Sequence, residues 1–168
     1  MWFIRAIAAV ALLALVSGCG QQGKFKRYHG PEVTRIEVFK ADRVMRLYHH
    51  DRVLRTFRIG LGFAPEGHKQ VEGDGRTPEG WYVIDRRNPN SNFHLSIGIS
   101  YPNPDDVARA RAMGKSPGGD IFIHGQAGKQ NLRGRGRDWT DGCIAVTDRE
   151  MEDIYAMVRD GTPILIHP

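Results

Sequence analysis

The chain has 168 residues, with Lys+Arg 24 against Asp+Glu 19 and a formal net charge of +5. That length supports one domain with one sizeable core, and 40% hydrophobic with 26% charged residues excludes a disordered chain. Two cysteines allow at most one disulfide, which excludes a disulfide scaffold, and they are too few for a zinc ribbon.

The chain opens MWFIRAIAAVALLALVSGCG, which reads as targeting rather than fold. Arg5 gives the positive start. Ala6 to Val16 is an uninterrupted apolar run, too short to span a bilayer and right for a signal-peptide core. It closes in Val16-Ser17-Gly18-Cys19, which resembles the bacterial lipobox. That resemblance implies cleavage before Cys19 and lipidation of Cys19, with a plain signal peptide or a retained helix as the other readings. Each buried methylene of an acyl chain adds about 0.8 kcal/mol of membrane affinity. The expected organisation is a lipoprotein signal peptide over 1–18, a lipidated tether over 19–31 and a folded domain over 32–168. The expected location is the bacterial cell envelope, facing the periplasm, with Gly20 favouring the outer membrane. Cleavage removes Arg5 and no acid, leaving a charge of +4. Such a protein suits an anionic surface or a carboxylate-bearing polymer, and nucleic acid is not an expected partner.

From Glu32 the pattern has period two, with Val33, Arg35, Glu37 and Phe39 alternating against Thr34, Ile36 and Val38. Short strands are predicted at Val44 to His49 and Val53 to Ile59, with turns at Ala41-Asp42 and His50-Asp51, giving an antiparallel meander. Lys69 to Arg76 is polar and glycine-rich, hence a loop. Thr77-Pro78-Glu79-Gly80 turns into a strand over Trp81 to Ile84. His94 to Ser100 alternates again. Asp105 to Met113 carries helix formers after an acidic start. Asp120 to Gly125 holds a buried strand ending at His124, and Gly125 to Thr140 is a basic, glycine-rich loop. Cys143 to Val146 is a short strand. Thr147-Asp148-Arg149-Glu150 matches a capping box. Met151, Ile154, Tyr155 and Val158 then form one apolar helical face, with Gly161 at the expected C-cap. Thr162 to His167 closes the chain as a strand. The sum is a strand-rich domain with one or two helices.

The folded part keeps one cysteine, Cys143, preceded by Thr140-Asp141-Gly142. His124 lies 19 positions earlier at a strand end. Neighbouring strand ends can bring two such residues together. The thiolate is the nucleophilic form of cysteine, and an imidazole can take its proton. Gly142 lets the backbone bend before the thiol and lets a carbonyl approach backbone N–H groups. A buried, inert cysteine beside a hydrogen-bonded core histidine is the competing reading. The remaining histidines have no metal-ligand spacing, so no metal is expected.

Ile123-His124-Gly125 followed by Thr140-Asp141-Gly142-Cys143-Ile144 resembles the signature of the L,D-transpeptidase catalytic domain (YkuD-like) family, in its Asp-Gly-Cys form. Upstream, Gly73-Asp74-Gly75-Arg76-Thr77-Pro78-Glu79-Gly80-Trp81-Tyr82 is similar to the family's Thr-Pro-x-Gly-x-Tyr block. The likeness covers roughly 32–168. It departs from the common pattern in having Asp141 where many members have His, and Ala145 where they have Asn or Arg. The resemblance implies a mainly β fold, a sandwich or barrel of mixed sheets with one or two short helices. It implies a peptidoglycan transpeptidase in which Cys143 attacks a stem tetrapeptide and D-Ala leaves. The acyl group then passes to an amine, with His124 as acid and base. The oxyanion would meet the N–H groups of Gly142 and Cys143. Gly125, Arg133, Arg135, Arg137, Trp139, Thr140 and Asp141 are candidate substrate contacts, with Asp141 expected to point away from the thiol or to pair with an arginine. No cofactor is implied. Expected partners are peptidoglycan stem peptides, the membrane through Cys19, and a wall-linked lipoprotein. The alternatives are an L,D-carboxypeptidase or amidase using water, and, from another class, a non-catalytic wall-binding lipoprotein.

Overall fold

A computed structural model of the chain describes residues 23–126 and 137–168. Cys19, Arg133 and Arg135 lie outside the described residues. Three strands form the meander: β1 (Arg35–Phe39), β2 (Val44–His49) and β3 (Arg52–Arg58). Then come β4 (Gly80–Asn88), β5 (Ser96–Ile99), α1 (Pro104–Ala112), β6 (Phe122–His124), β7 (Ile144–Ala145), α2 (Asp148–Met157) and β8 (Pro163–His167). They assemble in the order β3-β2-β1-β8-β4-β5-β6-β7. The pairs β1–β8 and β6–β7 are parallel and the rest antiparallel, so the sheet is mixed and the fold mainly β, as implied.

The period-two reading accounts for the first half. In β1 the inward side chains are Ile36 and Val38, both fully buried, while Arg35, Glu37 and Phe39 lie on the other face. β8 alternates likewise, with Ile164 and Ile166 inside. β5 is buried at all four positions, because the core covers one face and α2 packs on β5 and β6. Single-face alternation therefore fails there, and this strand begins at Ser96 rather than His94. His94 has φ +74, which no strand residue adopts.

The sheet curls until its two edges meet. Beyond β3 the chain continues through Gly60, which bridges Ala145 of β7, and Gly62, which bridges Thr140. The backbone bonds are Gly60 N–H to Ala145 O at 2.8 Å, Ala145 N–H to Gly60 O at 2.9 Å and Phe63 N–H to Thr140 O at 2.9 Å. The segment around Cys143 is thus held from one side by β6 and from the other by 60–63.

Both helices begin on capping boxes. Thr147 caps α2, accepting from Glu150 N–H while the Glu150 carboxylate accepts from Thr147 N–H, as the sequence predicts. Asn103 does the same for α1 with Asp106. Gly161 is not the C-cap of α2. The helix stops at Met157 with Val158 extended. Gly161, with φ +87, instead shapes the turn into β8 and donates to Ile84 O at 2.7 Å.

Candidate active site

Parallel pairing of β6 with β7 sets Ile123 opposite Ile144 and His124 opposite Ala145. Paired residues share a face and faces alternate, so Cys143 falls on the face of His124, one diagonal step away. Both line one cavity of about 610 Å³ and also a smaller one of about 320 Å³. The thiol is partly exposed; it is not sealed into the core.

The thiol donates to Asp120 O at 3.4 Å and accepts from Phe122 N–H at 3.4 Å. Burial pushes its pKa up, reinforced by the carboxylates of Asp141 and Asp120, while the Phe122 N–H and the Lys69 charge pull the other way. His124 is 4% exposed. Burial pushes its pKa down, against a hydrogen bond that favours the charged form. That bond joins Nδ1 to Gly125 O at 2.6 Å. A carbonyl only accepts, so Nδ1 carries the proton and Nε2 keeps its lone pair. The group that orients His124 is therefore a main-chain carbonyl, which no residue identity announces. The imidazole also packs against Phe93, with ring centroids 4.5 Å apart, and against Trp139 at 5.7 Å. Burial disfavours both charged forms, so the resting pair is thiol and neutral imidazole.

Gly142 is required by position. Its φ is +127, and a Cβ there would sit 2.6 Å from Arg76 O. Its N–H donates to Thr140 Oγ1 at 3.2 Å, and the Thr140 hydroxyl donates to Cys143 O at 2.7 Å. The expected pair of oxyanion donors is thereby corrected in part. The Gly142 N–H is already engaged, whereas the Cys143 N–H has no acceptor among the described residues.

The expected substrate contacts divide. Trp139, Thr140 and Asp141 line the large cavity, and Trp139 Nε1 is buried without a partner among the described residues. Asp141 is exposed and makes no ion pair with an arginine among the described residues. Its carboxylate adds to the upward push on the thiol pKa. Gly125 lines neither cavity; it orients His124, and its N–H donates to Phe93 O at 3.0 Å. Arg137 lines neither cavity, and its carbonyl lies against Gly60. Sequence reasoning missed Lys69, Glu72 and Asp120, all on the large cavity. Their signal was weak, since each sits in a polar loop with no regular period. Among the described residues no group of three or more His, Cys, Asp or Glu could hold a metal ion.

A curled mixed sheet carries Cys143 and His124 on adjacent strand ends, and comparison with known proteins places this architecture. The family model described as the L,D-transpeptidase catalytic domain (YkuD) matches residues 33–166. The chain belongs to that family. YafK of Escherichia coli K12, named as a candidate L,D-transpeptidase, is 28% identical over 171 aligned positions, covering 92% of this chain and 63% of YafK. The crystal structure of the helical cell shape determining protein Pgp2 from Campylobacter jejuni aligns with TM-score 0.60 and 27% identity, over 88% of this chain and 52% of that one. The Enterococcus faecium L,D-transpeptidase C442S mutant shares the fold at TM-score 0.52 and 18% identity, over 82% of this chain and 50% of that one. The chain therefore spans between half and two thirds of the length of these relatives.

Proposed function

We propose that this protein is a cysteine-dependent peptidoglycan L,D-transpeptidase acting in cell-wall remodelling. The observation that carries the reading is that Cys143 and His124 sit where two cavities meet. A transfer reaction needs room for an acyl donor on one side of the nucleophile and an acceptor on the other. The large cavity carries Lys69, Glu72 and Asp141; the small one offers Asn88, Ser91, Asn92 and Ser96, and Asp120 borders both. A stem peptide bears both carboxylates and an amine, and the charged cavity suits it.

In this mechanism Nε2 of His124 takes the thiol proton as Sγ of Cys143 attacks the carbonyl between the third and fourth stem residues. The Cys143 N–H stabilises the oxyanion. The C–N bond breaks, and His124 returns the proton to the departing D-Ala nitrogen. An acceptor amine then attacks the thioester, gives its proton to Nε2, and the sulfur leaves and is reprotonated. Water in place of the amine gives the carboxypeptidase outcome. The likeness to Pgp2, a cell shape determining protein, supports a role in shaping the wall. The lipobox-like Val16-Ser17-Gly18-Cys19 supports an envelope lipoprotein.

Incubation of the purified protein with tetrapeptide muropeptides, with mass spectrometry of products, tests the reading. Cross-linked dimers with release of D-Ala are expected. Tripeptide alone would assign the hydrolase, and unchanged muropeptides would contradict both.

A further inference from the structure

Two lysines of this domain are almost wholly buried, Lys40 and Lys69, each 2% exposed. Burying an ammonium costs several kcal/mol unless its donors are met. Lys40 meets all three of its N–H donors: Gly67 O at 2.6 Å, Thr77 O at 3.1 Å and Glu79 Oε1 at 2.6 Å. It pins the loop between β3 and β4 and does not line the cavity of Cys143. Lys69 has two acceptors, Val71 O at 3.2 Å and Asp74 Oδ1 at 3.0 Å, and it lines that cavity. Among the described residues, one of its three donors is left over. Asp74 does not depend on this lysine, since its carboxylate also accepts from the N–H groups of Gln70, Val71 and Arg76. The lysine is held in place by a carboxylate that the backbone has already satisfied.

Lys69 is also the one cationic side chain among the described residues lining the large cavity, which otherwise carries Glu72, Asp120 and Asp141. A carboxylate entering the cavity would meet repulsion from the acids and one fixed donor.

We propose that Lys69 is the carboxylate-binding residue of this cavity, holding the free carboxylate of a peptide whose adjacent carbonyl lies at Cys143. It acts as a specificity residue. It restricts attack to the bond preceding a residue with a free carboxylate and so disfavours internal or amidated peptides. The natural ligand rests on the transpeptidase reading; the anion site does not.

The test separates the two. Cys143 in the full chain is alkylated with iodoacetamide and with iodoacetate, neutral and anionic reagents of the same reaction, and the Cys143 peptide is followed by mass. Lys69→Met and Lys69→Gln should lower the iodoacetate rate relative to iodoacetamide by about tenfold, the order expected for removing one nearby charge. Lys69→Arg should keep the wild-type ratio. Lys69→Gln retains a donor for Val71 and Asp74 and carries the test where Lys69→Met loses the fold. A ratio unchanged within twofold in a folded variant overturns the proposal. In parallel, tetrapeptides with a free or amidated C-terminus are compared. Wild type should prefer the free acid, and Lys69→Gln should abolish the preference. A Lys69-dependent alkylation ratio without turnover of either peptide would sink the transpeptidase reading and leave the anion site standing. Turnover with the ratio and the preference both independent of Lys69 would do the reverse.

Discussion

The proton on Cys143 faces the Asp120 carbonyl, and the lone pair of His124 is on Nε2 because Gly125 holds Nδ1. Burial raises the thiol pKa and lowers that of the imidazole, so near neutral pH neither is charged. The sign of each shift fixes the pH profile. His124 must be neutral to act as base. Its pKa lies below the ordinary imidazole value, so turnover should hold as pH falls through about 6.5 and decline only below it. Iodoacetamide labelling of Cys143, which reports thiolate, should keep rising through about pH 9. A labelling plateau reached near pH 6 would reveal a resting thiolate–imidazolium pair and contradict this description. At this scale Cys143, His124 and Gly142 were legible through the resemblance of Ile123-His124-Gly125 and Thr140-Asp141-Gly142-Cys143 to a family signature; a lone thiol and a strand-end histidine by themselves fit a buried, inert pair as well. Lys69 was not. A lysine in a polar loop looks solvated, and nothing in its neighbours announces that its ammonium is held by Val71 O and Asp74 Oδ1. Arg137 was legible as a cation but not as one outside the cavity, because its placement depends on Gly60.

Elements bring the two reactive residues together, and α2 steadies them. Its first residue, Asp148, accepts from Gln126 N–H at 2.6 Å, two positions beyond His124. Removing the cap with Thr147→Ala should cost about 1 kcal/mol and lower the melting temperature by about 3 °C. Iodoacetamide reactivity of Cys143 well below the transition should stay within about twofold, since the β6–β7 pairing is untouched. A large loss of reactivity at unchanged melting temperature would show that α2 controls the site directly. The β1–β2–β3 meander and the α2 capping box were readable because their signals are local. The parallel contact of β1 with β8 and the bridges of Gly60 and Gly62 to Ala145 and Thr140 were not, because pairing across more than a hundred or about eighty positions leaves no local periodicity. β5 was readable from the alternation of Leu95, Ile97 and Ile99 with smaller or polar residues, but not its burial on both faces nor its start at Ser96.

For the whole molecule, one curled sheet closes around a core of Ile36, Ile84, Ile97, Ile123, Ile144 and Ile164, all fully buried, and leaves Cys143 and His124 at the seam where its edges meet. No helix among the described residues is long and apolar enough to cross a membrane. Membrane attachment in this proposal comes from Cys19 alone, outside the described residues. Cell fractionation should find the wild type with the membranes and Cys19→Ala in the soluble envelope fraction. Membrane retention of Cys19→Ala would remove the lipid from the proposal without touching the chemistry. That chemistry is tested most directly by intact-mass spectrometry of the protein quenched in acid after mixing with a tetrapeptide stem. The account predicts an adduct of the stem minus D-Ala, released by hydroxylamine, mapping to Cys143 and absent from Cys143→Ala. Turnover that survives in Cys143→Ala, or an adduct on any other residue, would contradict it.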